Sequence, residues 1–174
     1  MKIRFGEYMI RDWKKSDAES IAYYANNPNI SIRLRDRFPN PYTIYDAEGF
    51  LAAVSRQDPR MAFAIATRDE AIGGIGLDAG SDVYRFTAEL GYWLGEPFWG
   101  KGIMTEAVTR FTAWAFEERS LYRIYANVFA TNTASTRVLE KAGFEFEGCL
   151  RAGVFKNDQI LDQLLYARVK DGIR

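Results

Sequence analysis

Residues 96–105 read Glu96-Pro97-Phe98-Trp99-Gly100-Lys101-Gly102-Ile103-Met104-Thr105, and their flanking segments predict two different elements. Ala88–Leu94, before them, is short, apolar and rich in aromatic residues, which is typical of a strand. After them, apolar residues recur at helical spacing from Met104 to Trp114. The region is therefore predicted to be a strand, a glycine-containing loop and a helix.

The two glycines of this loop, Gly100 and Gly102, indicate a close approach to a ligand, because glycine has no Cβ. The first N–H groups of the following helix have no partner within the helix. Together with the positive end of the helix dipole, they favour an anion such as a phosphate. The loop is therefore predicted to bind a diphosphate group.

The loop resembles the central motif of the GNAT N-acetyltransferase superfamily, in which Arg/Gln-x-x-Gly-x-Gly/Ala holds the pyrophosphate of acetyl-coenzyme A. Gly102 matches the first motif glycine, whereas Trp99 stands at the Arg/Gln position and Met104 at the Gly/Ala position. These two departures are similar to the subgroup of ribosomal-protein alanine and spermidine acetyltransferases. The resemblance continues through residues 132–135 and 141–144 and covers essentially the whole chain.

Length and composition predict one domain over residues 1–174, because 48% apolar and 26% charged residues are typical of a globular protein. The 23 basic and 23 acidic residues cancel, which argues against a nucleic-acid partner. No apolar run reaches the roughly 18 residues of a membrane span, and the N-terminus lacks a signal-peptide pattern. We therefore expect a cytoplasmic protein without a membrane partner, either a monomer or a homodimer.

The predicted order of elements is β, α, α, β, β, β, α, β, α, β, β, an α/β fold with one mixed, mostly antiparallel sheet flanked by helices. The strands around Leu90 and Ile124 are joined through a helix and should be parallel. The resemblance implies that this pair splays apart and receives the pantetheine arm of the coenzyme. Residues 73–76, Gly-Gly-Ile-Gly, lack phosphate-loop spacing and predict a strand pressed against a neighbour.

Local signals predict how two helices begin. Ser16 and Glu19 have the spacing of a capping box for the first helix, and Thr43 is expected to cap the second.

The chain has no histidine and one cysteine, which restricts its chemistry. A Ser-His-Asp triad and a His-built zinc site are both excluded, and we expect no metal. Proton transfer must use carboxylates, Tyr, Ser, Lys or water. Cys149 is predicted to be a small packed residue in a strand, not a nucleophile.

Two residues are candidates for catalysis. Glu89, at the start of the central strand, is either a general base or an ion-pair partner of Arg85 or another arginine. Ser135 occupies, by resemblance, the position that faces the coenzyme sulfur. Alternatively, it serves only the start of a helix that Asn132 caps.

The resemblance implies a set of coenzyme-binding residues in the strand, the loop and the following helices. In the strand, spare backbone N–H groups would meet the coenzyme, although an ordinary paired strand is the alternative. Lys101 and Lys141 would lie near phosphates or are only solvated surface. The predicted set is Tyr92, Trp93, Leu94, Trp99, Gly100, Lys101, Gly102, Ile103, Met104, Thr105, Asn132 and Lys141.

Arg33, Arg35 and Arg37 form the one basic cluster, in a segment that by resemblance shapes the acceptor side. They would attract an acidic peptide or a substrate carboxylate, or they are a solvated strand face.

Together these features predict an acetyl-CoA-dependent N-acetyltransferase that acts on a primary amine by direct transfer in a ternary complex. The expected acceptor is a protein or peptide N-terminal α-amine, as in the ribosomal-protein type. The alternatives are a small-amine acetyltransferase, acting on a polyamine, amino acid or antibiotic, and a non-catalytic acyl-CoA-binding regulator.

Overall fold

Residues 1–173 are described by a computed structural model, in which the predicted order of strands and helices is confirmed, with one further strand near the N-terminus and one further short helix. Among these residues, no helix combines the length and apolar character needed to cross a membrane. The elements are β1 (Lys2–Phe5), β2 (Tyr8–Arg11), α1 (Ala18–Ala25), α2 (Pro28–Ser31), α3 (Ile44–Ser55), β3 (Ala62–Ala66), β4 (Ala71–Ala79), β5 (Thr87–Leu94), α4 (Ile103–Glu118), β6 (Arg123–Phe129), α5 (Thr133–Lys141), β7 (Glu145–Lys156) and β8 (Gln159–Val169).

The eight strands form one mixed sheet in the order β1-β2-β3-β4-β5-β6-β8-β7. β5 and β6 are parallel, as expected for strands joined through a helix. Their pairing covers Thr87–Glu89 and Arg123–Tyr125, although β5 continues to Leu94 and β6 to Phe129. The predicted α/β fold, with one parallel pair in a largely antiparallel sheet, is confirmed.

The described chain divides into two compact units. The first unit contains residues 1–76 and 92–103, and the second contains residues 77–91 and 104–173. The chain passes between them within β4, within β5 and at the start of α4. That the chain acts as one domain stays a prediction.

The core of the first unit includes a cluster of buried residues from α1, α3 and the segment between them. α3 begins where predicted, because Thr43 accepts a hydrogen bond from the Asp46 N–H (3.3 Å) and the Asp46 carboxylate accepts one from the Thr43 N–H (2.7 Å). The buried members are Ala18, Ile21, Ala25, Tyr42, Ala47 and Leu51, with Trp13, Ala22, Phe38, Phe50 and Trp93 packed against them.

The predicted capping box of Ser16 and Glu19 is wrong, because α1 starts at Ala18 and Asp17 is its N-cap residue. The buried Asp17 carboxylate accepts hydrogen bonds from both terminal nitrogens of Arg11, at 2.7 and 2.8 Å, and from the Lys14 N–H. A guanidinium on the buried strand β2 needs a counter-charge. This ion pair therefore holds Asp17, the residue that immediately precedes α1, against β2.

The glycines of β4 make a close approach, as predicted. A Cβ on Gly73 would lie 2.5 Å from the Trp93 carbonyl oxygen, and one on Gly74 would lie 2.8 Å from the Trp93 indole nitrogen. A Cβ on Gly76 would lie 3.0 Å from the Met61 carbonyl oxygen. The glycines thus allow β4 to pack against its neighbours.

Residues 30–37 do not form the predicted alternating strand face. Asn27 caps a short helix by accepting a hydrogen bond from the Asn29 N–H, and Pro28 occupies its first turn. Turns follow as far as Phe38. The N-cap and the proline therefore outweigh the alternation of apolar and basic residues.

In the second unit β6 pairs with β8 along its whole length, and β7 is the last strand of the sheet. Cys149 lies in β7 and is exposed, so the prediction of a packed cysteine is wrong. β7 is the last strand of the sheet and is exposed over most of its length, so Cys149 has little to pack against there.

The buried pair of Arg11 and Asp17 gives a stability prediction. Asp17→Ala leaves a guanidinium buried without a counter-charge and should lower the free energy of unfolding by about 3–5 kcal/mol. The control Asp46→Ala removes the capping carboxylate of α3, which is not part of a buried ion pair, and should cost much less. Urea unfolding of both variants measures this, and equal losses would contradict the assignment.

Candidate functional site

The loop between β5 and α4 is closed by hydrogen bonds within the first unit. The Gly95 N–H donates to the Ile72 carbonyl at 2.8 Å, and the Trp99 indole N–H donates to the Leu94 carbonyl at 2.7 Å. Gly95 is buried, and a Cβ there would lie 2.9 Å from the ring of Tyr24. The start of the loop therefore has a fixed path.

Gly100 and Gly102 have φ angles of +74° and +75°, which L side chains rarely adopt. Both are exposed, and a Cβ on either would meet no atom within 4 Å. These positions thus need glycine for the backbone conformation, and the space beside them is open. α4 begins directly after Gly102, with the side chains of Ile103 and Met104 buried, so these two residues would offer a ligand their main chain.

A second set of contacts holds the loop to the end of α1 and to α2. The Glu96 carboxylate accepts hydrogen bonds from the side-chain amides of Asn27, at 2.5 Å, and of Asn29, at 3.1 and 3.2 Å. These bonds, the one from Asn27 first, lower the pKa of Glu96 below its usual value. The ring of Tyr24 also meets Phe98 edge to face, with centroids 5.5 Å apart.

Two cationic side chains accompany the loop, both exposed. The Arg33 guanidinium lies over the Trp99 ring, 5.0 Å from its centroid, and the Lys101 ammonium lies 5.6 Å from the Phe98 ring centroid. Arg33 was predicted to belong to the acceptor side. Its ring contact brings it to Trp99, the residue that precedes Gly100, and a role towards the acceptor stays a prediction.

The end of β5 contributes more to the core than its sequence suggested. The Trp93 ring packs edge to face against Phe38, with centroids 5.8 Å apart, and Leu94 is buried. Tyr92 is half-buried. Any contact of the buried Leu94 with a coenzyme would therefore come from its main chain.

The second unit holds the predicted base. Glu89 is half-buried in β5, and its carboxylate accepts a hydrogen bond of 3.1 Å from the Asn127 side-chain amide. Glu89 pairs with Tyr125 in the parallel register, so Asn127 lies two residues further along β6. Sequence reasoning missed Asn127. Residues two apart on a strand lie on the same face, so a polar residue two positions from Tyr125 was a usable signal. Arg85, the alternative partner of Glu89, donates to the Asp82 carbonyl and lies over the Phe86 ring.

α5 begins as predicted, with the Asn132 side chain accepting a hydrogen bond of 3.3 Å from the Ser135 N–H. Ser135 is the third residue of the helix and is half-buried. The helix-start role of both residues is confirmed, and the catalytic role of Ser135 stays a prediction. Lys141 is the exposed last residue of α5.

Comparison with known proteins gives the family. Residues 8–145 match the family described as Acetyltransferase (GNAT) domain. The chain belongs to the GNAT acetyltransferase family. The resemblance stated from its loop is therefore confirmed, as is its assignment to the acetyltransferases.

Individual relatives of this GNAT acetyltransferase are also named as acetyltransferases. It is 36% identical to the N-acetyltransferase YoaA of Bacillus subtilis (strain 168) over 167 residues, 93% of each chain. It is 36% identical to the ribosomal-protein-serine acetyltransferase of Escherichia coli (strain K12) over 109 residues, 63% of this chain and 60% of the relative. The crystal structure of the ribosomal-protein-S5-alanine acetyltransferase of Vibrio fischeri is 26% identical and superposes with a TM-score of 0.84, covering 100% of this chain and 99% of the other.

The glycine loop gives a binding prediction with a matched control. Gly102→Ala and Gly6→Ala both place an alanine at positive φ where a Cβ meets no atom within 4 Å, so each should lose about 1–2 kcal/mol of stability. Only Gly102→Ala should weaken coenzyme A binding, by about tenfold, because it changes the loop that would meet the diphosphate. Calorimetric titration measures the affinity. Unchanged affinity in folded Gly102→Ala would mean that the loop is only structural.

Proposed function

We propose that this GNAT acetyltransferase transfers the acetyl group of acetyl-CoA to the N-terminal α-amine of a protein or peptide, in a ternary complex. The observation that carries the proposal is the exposed loop of Gly100 and Gly102 at the start of α4. The choice of acceptor is supported by the names of two relatives, which are a ribosomal-protein-serine and a ribosomal-protein-S5-alanine acetyltransferase.

The loop suits the diphosphate of the donor in three respects. Its two glycines leave open space beside the backbone, the first turn of α4 offers N–H groups, and Lys101 adds a positive charge. Trp99 supports the loop through its bond to Leu94. We assign the remaining donor contacts to the main chain of Tyr92–Leu94 and of Ile103–Thr105, and to Asn132 and Lys141.

The donor supplies a thioester, and the protein must remove a proton from the amine and return one to the departing sulfur. A thiol with an ordinary pKa of about 8.5 is a good leaving group near neutral pH. The demand on a proton donor is therefore small. We assign this modest role to the Ser135 hydroxyl.

Glu89 is the proposed base, and Asn127 is a positioning residue for it. The Asn127 amide is a neutral donor, so it can orient the Glu89 carboxylate without supplying the positive charge that an arginine would bring.

The basicity of the acceptor decides how much a base must contribute. An α-amine with a pKa of about 7.8 is roughly one tenth unprotonated at pH 7. A lysine or polyamine amine with a pKa of about 10.4 is unprotonated about once in 2,500, an extra cost of roughly 3.5 kcal/mol. A weakly activated carboxylate is therefore adequate for N-termini and inadequate for lysines.

Domain organisation, location and oligomeric state are also part of the proposal. We propose one functional domain over residues 1–174, acting in the cytoplasm as a monomer or homodimer. The equal numbers of basic and acidic residues, 23 each, argue for a peptide or small-molecule acceptor and against nucleic acid as a partner.

Ligand-dependent stability tests the donor. Acetyl-CoA at about one hundred times its Kd should stabilise the folded protein by about 2.7 kcal/mol, which corresponds to a rise in Tm of roughly 5–10 °C. NAD, which also carries a diphosphate, should cause no comparable shift. An equal shift with NAD, or none with acetyl-CoA, would refute the coenzyme assignment.

Thiol release from acetyl-CoA then identifies the acceptor. N-terminal peptides beginning with serine or alanine should be acetylated at the α-amine, and the same peptides with a blocked N-terminus should not. Faster turnover of polyamines or free amino acids would replace the proposed acceptor with a small amine, and binding without turnover would indicate a regulator.

The variant Glu89→Gln tests the base. On an N-terminal peptide it should lower kcat/KM at most about tenfold at pH 7, and the loss should shrink towards pH 8.5 as more of the amine becomes unprotonated. Glu106→Gln, which removes an exposed carboxylate paired with Arg110 on α4, is the control and should have no effect. A hundredfold, pH-independent loss would show that Glu89 does more than accept a proton.

A further inference from the structure

Arg33 follows α2 and is distant in sequence from Trp99, but its side chain lies beside the glycine loop between β5 and α4. Its guanidinium is 5.0 Å from the centroid of the Trp99 ring, and the side chain is exposed. The ring is itself held by the indole hydrogen bond to the Leu94 carbonyl. Arg33 therefore contacts a ring that is held by a hydrogen bond and belongs to the residue immediately before Gly100.

The contact of Arg33 with the Trp99 ring is a cation–π contact, and it leaves the guanidinium exposed to solvent. A guanidinium carries five N–H donors in a planar fork that matches the oxygens of a phosphate. An exposed arginine at this position can therefore bind a phosphate that lies beside the loop.

The charges around the loop favour the same ligand. Glu96 is the nearby anion: its carboxylate accepts hydrogen bonds from the amides of Asn27 and Asn29, and the positive charge of Arg33 also contributes to lowering its pKa. Arg33 and Lys101 supply two positive charges on the rings of Trp99 and Phe98. Trp99 directly precedes Gly100, and Lys101 lies between the two glycines in sequence, so both charges belong to the same loop as the proposed diphosphate site.

We propose that Arg33 is a phosphate-binding residue for the acetyl donor, and that it makes the enzyme prefer acetyl-CoA to acetyl thioesters without phosphate groups. This assignment rests on the proposed function and deepens it. It assigns Arg33, which the sequence placed on the acceptor side, to the binding of the donor. Trp99 would then both close the loop through its hydrogen bond and contact the Arg33 guanidinium.

The test compares Arg33→Ala and Arg33→Lys with a matched control, Arg85→Ala, which removes another exposed arginine stacked over an aromatic ring, that of Phe86. Each variant is assayed with acetyl-CoA and with acetyl-pantetheine, which has no phosphate. Arg33→Ala should raise KM for acetyl-CoA about tenfold with kcat within about twofold. Its kcat/KM with acetyl-pantetheine should equal that of the wild type.

Three further results bear on the inference. Arg33→Lys should recover part of the loss because it restores the charge, and Arg85→Ala should match the wild type. The advantage of the wild type over Arg33→Ala should shrink between 50 and 200 mM salt, because screening weakens a phosphate contact.

Other results would contradict either this assignment or the proposed function. An equal loss with both donors, or a rise in KM for the amine alone, would overturn the assignment of Arg33 to the donor. A wild-type protein that does not bind coenzyme A would refute the proposed function itself. Wild-type binding that Arg33→Ala leaves unchanged would refute only this inference.

Discussion

The hydrogen bond from the Trp99 indole to the Leu94 carbonyl is the constraint on which the candidate site depends. It closes the chain between the end of β5 and the glycines that precede α4. A single neutral hydrogen bond contributes only about 1 kcal/mol, but here it fixes the path of a loop whose two glycines already have restricted, positive φ angles. The tryptophan that departs from the general GNAT motif thus has a defined structural role.

The same loop is held from a second direction by residues that are distant in sequence. Glu96 accepts hydrogen bonds from Asn27 and Asn29, which precede it by 69 and 67 residues. Asn27 also caps α2. One asparagine therefore connects the start of α2 to the glycine loop through side-chain hydrogen bonds.

The proposed chemistry fits a chain without histidine. A carboxylate oriented by a neutral amide, as Glu89 is by Asn127, suits an acceptor amine that is partly unprotonated at neutral pH. A helix-start serine needs to do little for a thiol leaving group. Of the acceptors considered, the proposed α-amine thus needs the least help from a general base and a proton donor.

The sequence alone determined the alternation of strands and helices, the parallel pair around the α4 connection and the glycine loop at the helix start. These depend on periodicity and capping, which act over a few neighbouring residues, as at Thr43 and Asn132. Only the tertiary structure decided that Asp17 begins α1, that Cys149 is exposed and that Asn127 meets Glu89. Each of those outcomes depends on which strand or side chain lies opposite, and that is fixed by packing between segments that are not neighbours in sequence.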